Sequence, residues 1–181
     1  EDGTGDIAPL IFAKQLETIQ AQVDDALSKG ATCLLGGAAV EAGGIWYPPT
    51  LLKDVNHDML IMQEETFGPV IPVVTFDDIE QAIALANDSK FGLSAAVFCG
   101  ERSAALAVAE RLQVGAVSVN DASLTGVVND VEKNSFRFSG MGGSRMGPAG
   151  LTRFLRKRAR LIQTGEPIPA ELCSDTLKES E

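Results

Sequence analysis

The chain has 181 residues, 45% hydrophobic and 22% charged, which suits one domain with a sizeable core and argues against disorder of the whole. Its 25 acidic and 15 basic residues give a net charge of −10, which argues against nucleic acid as a partner. The apolar runs are short and interrupted, so no membrane span is expected. The one basic cluster (Arg153, Arg156, Lys157, Arg158 and Arg160) reads as a solvated helix end. The acidic start from Glu1 to Asp6 is unlike a signal peptide, and the absence of an initiating Met fits a processed chain or a piece of a longer one. Cys33, Cys99 and Cys173 form neither a disulfide framework nor a zinc pattern, which points to a reducing compartment, the cytoplasm.

In chain order, Leu16, Ile19, Val23, Ala26 and Leu27 recur at spacings of three and four, so 13–29 is a predicted helix stopped by Gly30. Residues 32–35 form a short strand, 38–49 a hairpin-like excursion, 50–55 a further strand and 59–62 a helical turn. A β-rich run covers 70–76, with Pro72 inside it. Asp77 is the expected cap of the next helix, with Glu80 at the reciprocal capping position. Then come a strand at 95–99, a helix at 101–113 and a strand at 116–119, a βαβ spacing. Residues 120–150 lack periodicity. A short helix at 149–157 and a terminal strand at 158–163 follow. The reading is α/β, a mainly parallel sheet flanked by helices, in one unit over 1–164 with a disordered acidic tail over 165–181.

The run Glu64-Glu65-Thr66-Phe67-Gly68-Pro69 sets carboxylates and a ring just ahead of a strand, where a carboxylate can accept from ligand hydroxyls and a ring can pack on a ligand face. From spacing alone Glu65 is a surface acid at a strand start and Phe67 a core residue. The run resembles the E-E-x-F-G-P segment of NAD(P)-dependent aldehyde dehydrogenases. Further similar blocks follow the same order: Gly5-Asp6-Ile7-Ala8-Pro9-Leu10 and Gly30-Ala31-Thr32-Cys33-Leu34-Leu35-Gly36-Gly37 before it, then Tyr47-Pro48-Pro49-Thr50-Leu51. After it come Phe91-Gly92-Leu93-Ser94-Ala95-Ala96-Val97-Phe98, Gly115-Ala116-Val117-Ser118-Val119-Asn120, and the glycine-rich Ser139-Gly140, Gly143, Gly147, Gly150-Leu151.

The resemblance implies an incomplete catalytic domain of that fold, its carboxy-terminal part. It implies NAD or NADP as cofactor, with Glu65 on the hydroxyls of the nicotinamide ribose and Phe67 beside ribose and nicotinamide. Asn120 falls at a strand end near the aldehyde entrance, where the residue type also suits a turn. Phe136 and Phe138 lie where the family places an aromatic against the pocket, either one being possible, because the usual proline and paired glycines are absent. Ser144-Arg145-Met146 departs from the family's arginine-acid pair. The implied parent oxidises an aldehyde to a carboxylic acid: a cysteine thiolate attacks, hydride passes to the nicotinamide, and a carboxylate activates water. Nucleophile, base and phosphate-binding segment all precede the matching stretch, so no catalytic residue and no metal ligand is assigned, and the isolated chain is expected to be inactive. Homo-oligomers pairing through 158–163 are implied as well. Two alternatives are a non-catalytic oligomerisation module and a fragment of a CoA-acylating relative.

Overall fold

The computed structural model describes residues 7–41, 44–141, 146–156 and 158–166. The apolar stripe builds α1, Ala13–Ser28, and buries Ile19, Val23 and Ala26 completely. Gly30 ends it as expected: its φ is +101°, and Ala31 N donates to Ala26 O at 2.9 Å. β1 (Thr32–Leu35) and β4 (Thr50–Lys53) pair antiparallel, and β5 (Val70–Pro72) joins β4 in parallel. Between them the excursion forms a hairpin of β2 (Val40–Glu41) and β3 (Ile45–Trp46). α2, Leu60–Gln63, follows β4. Ile19, Val23, Leu52, Met59 and Ile61 meet in one core; each such side chain removed from water contributes about 1.5–3 kcal/mol.

The second region begins at α3, Ile79–Asn87. β6 (Phe91–Gly92) and β7 (Ser94–Val97) precede α4 (Arg102–Ala109), and β8 (Ala116–Val119) follows it. β7 and β8 pair in parallel from Ser94↔Ala116 to Val97↔Val119, with α4 as the crossover, which is the expected βαβ unit. The stretch read as irregular holds one helical turn, α5 (Leu124–Val127), and β9 (Phe136–Arg137), which pairs antiparallel with β6. The class is α/β, and both crossover pairings, β4–β5 and β7–β8, are parallel.

Several elements differ from expectation for identifiable reasons. The 70–76 strand stops at Pro72, because β4 ends at Lys53 and Asp54 turns away with φ +59°. Val73 N still reaches Leu52 O at 2.8 Å. The cap of α3 is Asp78, not Asp77: its Oδ1 accepts from Gln81 N at 2.8 Å, and Gln81 Oε1 accepts from Asp77 N at 2.6 Å, one residue later than read. Glu80 pairs with Arg111 instead. α4 is shorter than 101–113. The Glu101 carboxylate caps it, accepting from Ala104 N at 2.7 Å. At its other end Asn87 takes over the backbone, with Nδ2 donating to Arg111 O and Oδ1 accepting from Gln113 N. The 149–157 helix is two 3-10 turns, Pro148–Gly150 and Thr152–Phe154. Residues 158–163 form no strand within the chain, since no described segment pairs with them. Of the positions singled out in the sequence, Gly5, Asp6, Gly143, Ser144, Arg145 and Cys173, and the 167–181 part of the tail, lie outside the described residues.

Candidate functional site

α2 hands over to the 64–68 segment at Glu64, whose N–H still donates to Leu60 O at 2.9 Å while its backbone is already extended. Lys90 Nζ meets Glu64 Oε1 at 2.7 Å and stands 5.4 Å from the centre of the Phe91 ring. Glu64 is thus committed to an ion pair with a residue distant in sequence. Glu65 is not: its exposed carboxylate bonds to no other described residue and rims two clefts that share Glu65 and Phe91. One, of about 490 Å³, is walled by Thr18, Ala21, Gln22 and Leu60. The other, of about 350 Å³, is walled by Ala86, Gly92, Leu93 and Ser139.

The backbone of this segment is held from α1. Gln22 Nε2 donates to Glu65 O at 3.1 Å, and Gln15 Nε2 donates to Thr66 O. Phe67 then takes a left-handed φ of +43°, costly for an aromatic residue, with its ring 76% exposed. At Gly68 a Cβ would come within 2.3 Å of Ile19 Cδ1, so the chain crosses α1 closely enough that any larger residue would displace the buried Ile19 side chain.

The other expected site residues are placed differently. Asn120, also left-handed at φ +56°, spends its side chain on one backbone unit: Oδ1 accepts from Cys99 N at 2.8 Å and Nδ2 donates to Cys99 O at 3.0 Å. Phe136 stands in β9 opposite Gly92, and Phe138 is 80% exposed. Neither phenylalanine lines the two Glu65 clefts; their neighbour Ser139 does, and its Oγ accepts from Gly92 N at 2.9 Å. The structure therefore gathers Glu65, Phe91 and Ser139 around the two clefts, and leaves Phe67, Asn120, Phe136 and Phe138 outside their walls. Of the cysteines, Cys33 Sγ donates to Leu35 O at 3.2 Å, and neither Cys33 nor Cys99 is in a disulfide. No group of three or more His, Cys, Asp or Glu among the described residues could hold a metal ion.

The shifted carboxylates are structural. The Leu60 N–H, then Lys29, hold Asp25 below its ordinary range; Ser103 and Ala104 do the same for Glu101, and Arg111 for Glu80. Burial, reinforced by Asp24 and Cys33, pushes the Tyr47 phenol up to about 12, so it stays neutral.

Residues that the sequence reading missed are Gln15, Gln22 and Arg137. Gln22 carried a signal: it is a polar side chain on the apolar stripe beside Ile19, Val23 and Ala26, and it is buried. Arg137, at φ +53°, donates to Asn87 O at 2.7 Å and also reaches Ser89 O and Gln113 Oε1. Nothing in its neighbourhood of sequence announces that clamp.

Residues 1–159 match the model of the aldehyde dehydrogenase family. The chain belongs to that family. Lactaldehyde dehydrogenase from Escherichia coli is 40% identical over 158 residues, which is 87% of this chain and 32% of that protein. The structure of a putative aldehyde dehydrogenase from Anabaena variabilis superposes with a TM-score of 0.83 at 52% identity, over 91% of this chain and 36% of that one. Betaine aldehyde dehydrogenase from Staphylococcus aureus, solved in complex with NAD+, gives 0.77 at 32% identity, over 84% of this chain and 30% of that one. The chain thus spans about a third of the length of the aldehyde dehydrogenases it matches. Within the described residues no helix is long and apolar enough to cross a membrane.

Proposed function

We propose that this chain is the carboxy-terminal part of an enzyme that oxidises an aldehyde to a carboxylic acid with NAD or NADP, and that it supplies one side of the nicotinamide ribose site. The observation that carries the reading is the uncommitted Glu65 carboxylate between two clefts, beside a neighbour already neutralised by Lys90. An ionised carboxylate accepts from two vicinal hydroxyls, so the residues present fit a ribose. The nicotinamide, when bound, supplies the hydride acceptor. Glu65 orients the sugar, and the Phe67 ring packs beside it and limits its wandering. Asn120 serves the aldehyde entrance by fixing the chain just after β7, and either Phe136 or Phe138 presents a ring to the funnel. The covalent chemistry needs residues outside this chain, so the isolated chain turns over no aldehyde. The exposed Leu161 and Ile162 in the unpaired 158–163 segment suit pairing with a second copy. The unpaired Cys33 and Cys99 fit a reducing, cytoplasmic setting.

The test is aldehyde-dependent reduction of NAD+ and NADP+ by the complete polypeptide that carries these residues, with and without Glu65→Gln. The variant is expected to raise the KM for cofactor by about tenfold or more, as loss of a charged hydrogen bond does. An unchanged cofactor KM and kcat would reject the ribose assignment. Reduction of cofactor by the 181-residue chain alone would reject its dependence on further residues.

A further inference from the structure

The 64–68 segment is irregular backbone at the edge of a cleft, yet it carries the carboxylate on which the proposed ribose site rests. Its backbone carbonyls are not left to solvent. α1 offers two glutamines seven residues apart, two turns along one face, and they donate to consecutive carbonyls: Gln22 to Glu65 O at 3.1 Å and Gln15 to Thr66 O. The amide orientation of Gln22 is fixed by chemistry, because a carbonyl can only accept. Gln22 is 3% exposed, among Ile19, Val23 and Ala26, so its side chain has no alternative rotamer in water and is held like a core residue. It also walls the larger Glu65 cleft. The bond thereby ties the rigid core to the residue whose carboxylate faces the cleft.

We propose that Gln22, seconded by Gln15, is a positioning residue for the cofactor: it fixes the Glu65 peptide so that the free carboxylate meets the ribose hydroxyls. The inference rests on the ribose reading of Glu65. Each glutamine acts through a backbone carbonyl of the binding segment. Losing the donor leaves the carbonyl unpaired and the 64–67 backbone free to shift, which costs Glu65 its aim before it costs the fold its core.

The test is a double-mutant cycle in the complete polypeptide that carries this chain, read as the Kd for NADH by fluorescence titration, with the melting temperature as a control. Gln22→Met keeps length and apolar contact and removes the donor. It is expected to weaken NADH binding about 3- to 10-fold, while adding nothing in a Glu65→Gln background. Should Gln22→Met not accumulate as folded protein, Gln15→Met at its half-buried position gives the same cycle. A Kd changed less than about twofold by the glutamine variant, or effects that multiply in the double variant, overturn the positioning role even when Glu65→Gln alone weakens binding. If Glu65→Gln leaves the Kd unchanged, the ribose reading itself fails.

Discussion

The two regions of this molecule are held together by different physics. Up to β5, the nine buried apolar residues of the core (Ile19, Val23, Ala26, Ala31, Tyr47, Leu52, Val55, Met59 and Ile61) come from α1, β4, α2 and the connections between them. From α3 onward only Ile83 and Ala105 are buried apolar side chains among the described residues. That second region is stitched by polar groups instead: Asn87 on Arg111 and Gln113, Glu80 on Arg111, Ser139 on Gly92, Arg137 on the 87–89 turn. Between α3 and α4 it keeps an apolar cleft of about 510 Å³, walled by Phe76, Ile79, Ile83, Phe98, Val108 and Leu112. Two polar contacts bridge the regions, a hydrogen bond between His57 Nδ1 and Asp88 Oδ2 at 2.9 Å and an ion pair of Lys90 with Glu64 at 2.7 Å. A hydrophobic core resists small geometric errors, whereas a polar seam depends on each donor meeting its acceptor. The proposed site sits where the first kind of structure meets the second.

The comparison is broken most directly by truncating one side chain from each region. Leu52→Ala, at a fully buried position, is expected to cost about 2–5 kcal/mol in denaturant unfolding, and Leu106→Ala, on an exposed face of α4, under about 1 kcal/mol. Equal losses would show that the regions do not differ in this way. Gly115→Ala comes next. A Cβ there would lie 1.6 Å from Asn134 O, so the 132–136 backbone must move away from β8, and a loss of about 1–3 kcal/mol is expected. The same measurement checks it, with amide exchange showing whether opening is confined to the second region.

Removing the Arg137 guanidinium sharpens the contrast further. Arg137→Ala strips donors from Asn87 O, Ser89 O and Gln113, for about 1 kcal/mol in all at an exposed site. Faster amide exchange at 87–92 than at α1 is the readout. The smallest effect is that of acid. The folded state depresses Glu80 and Glu101 in the second region and Asp25 in the first, so each adds stability above its unfolded pKa and loses it as pH falls through the lower folded one. Melting temperature recorded from neutral pH downward is expected to fall through and below the ordinary carboxylate range. Glu80→Gln should flatten part of that slope.

What the sequence made legible follows the same divide. α1, its glycine stop, the hairpin and the βαβ unit were readable, because apolar spacing and turn residues act locally. The departures arise where a distant group decides the outcome. α4 ends at Ala109 because Asn87, 24 residues away from Arg111, claims the following backbone. The 70–76 run ends early because its partner strand does. Residues 158–163 have strand-like composition and no pairing partner among the described residues, and a strand is a property of two segments. At the proposed site, Glu65 and Phe67 are singled out through family resemblance alone. Gln22 and Arg137 are not, because a donor to a backbone carbonyl leaves no motif, only a polar residue on an apolar stripe or a lone cation in a stretch without periodicity.

The left-handed backbone at Phe67 has a consequence for how this protein would respond to selection. Glycine or asparagine at that position would sit comfortably in the same conformation, while the ring would be gone. On the cofactor role proposed for Phe67, libraries screened only for survival of heating should therefore enrich such replacements and come out tougher yet poorer at holding a dinucleotide. Laboratory evolution that alternates the heat step with a cofactor-capture step should keep the phenylalanine.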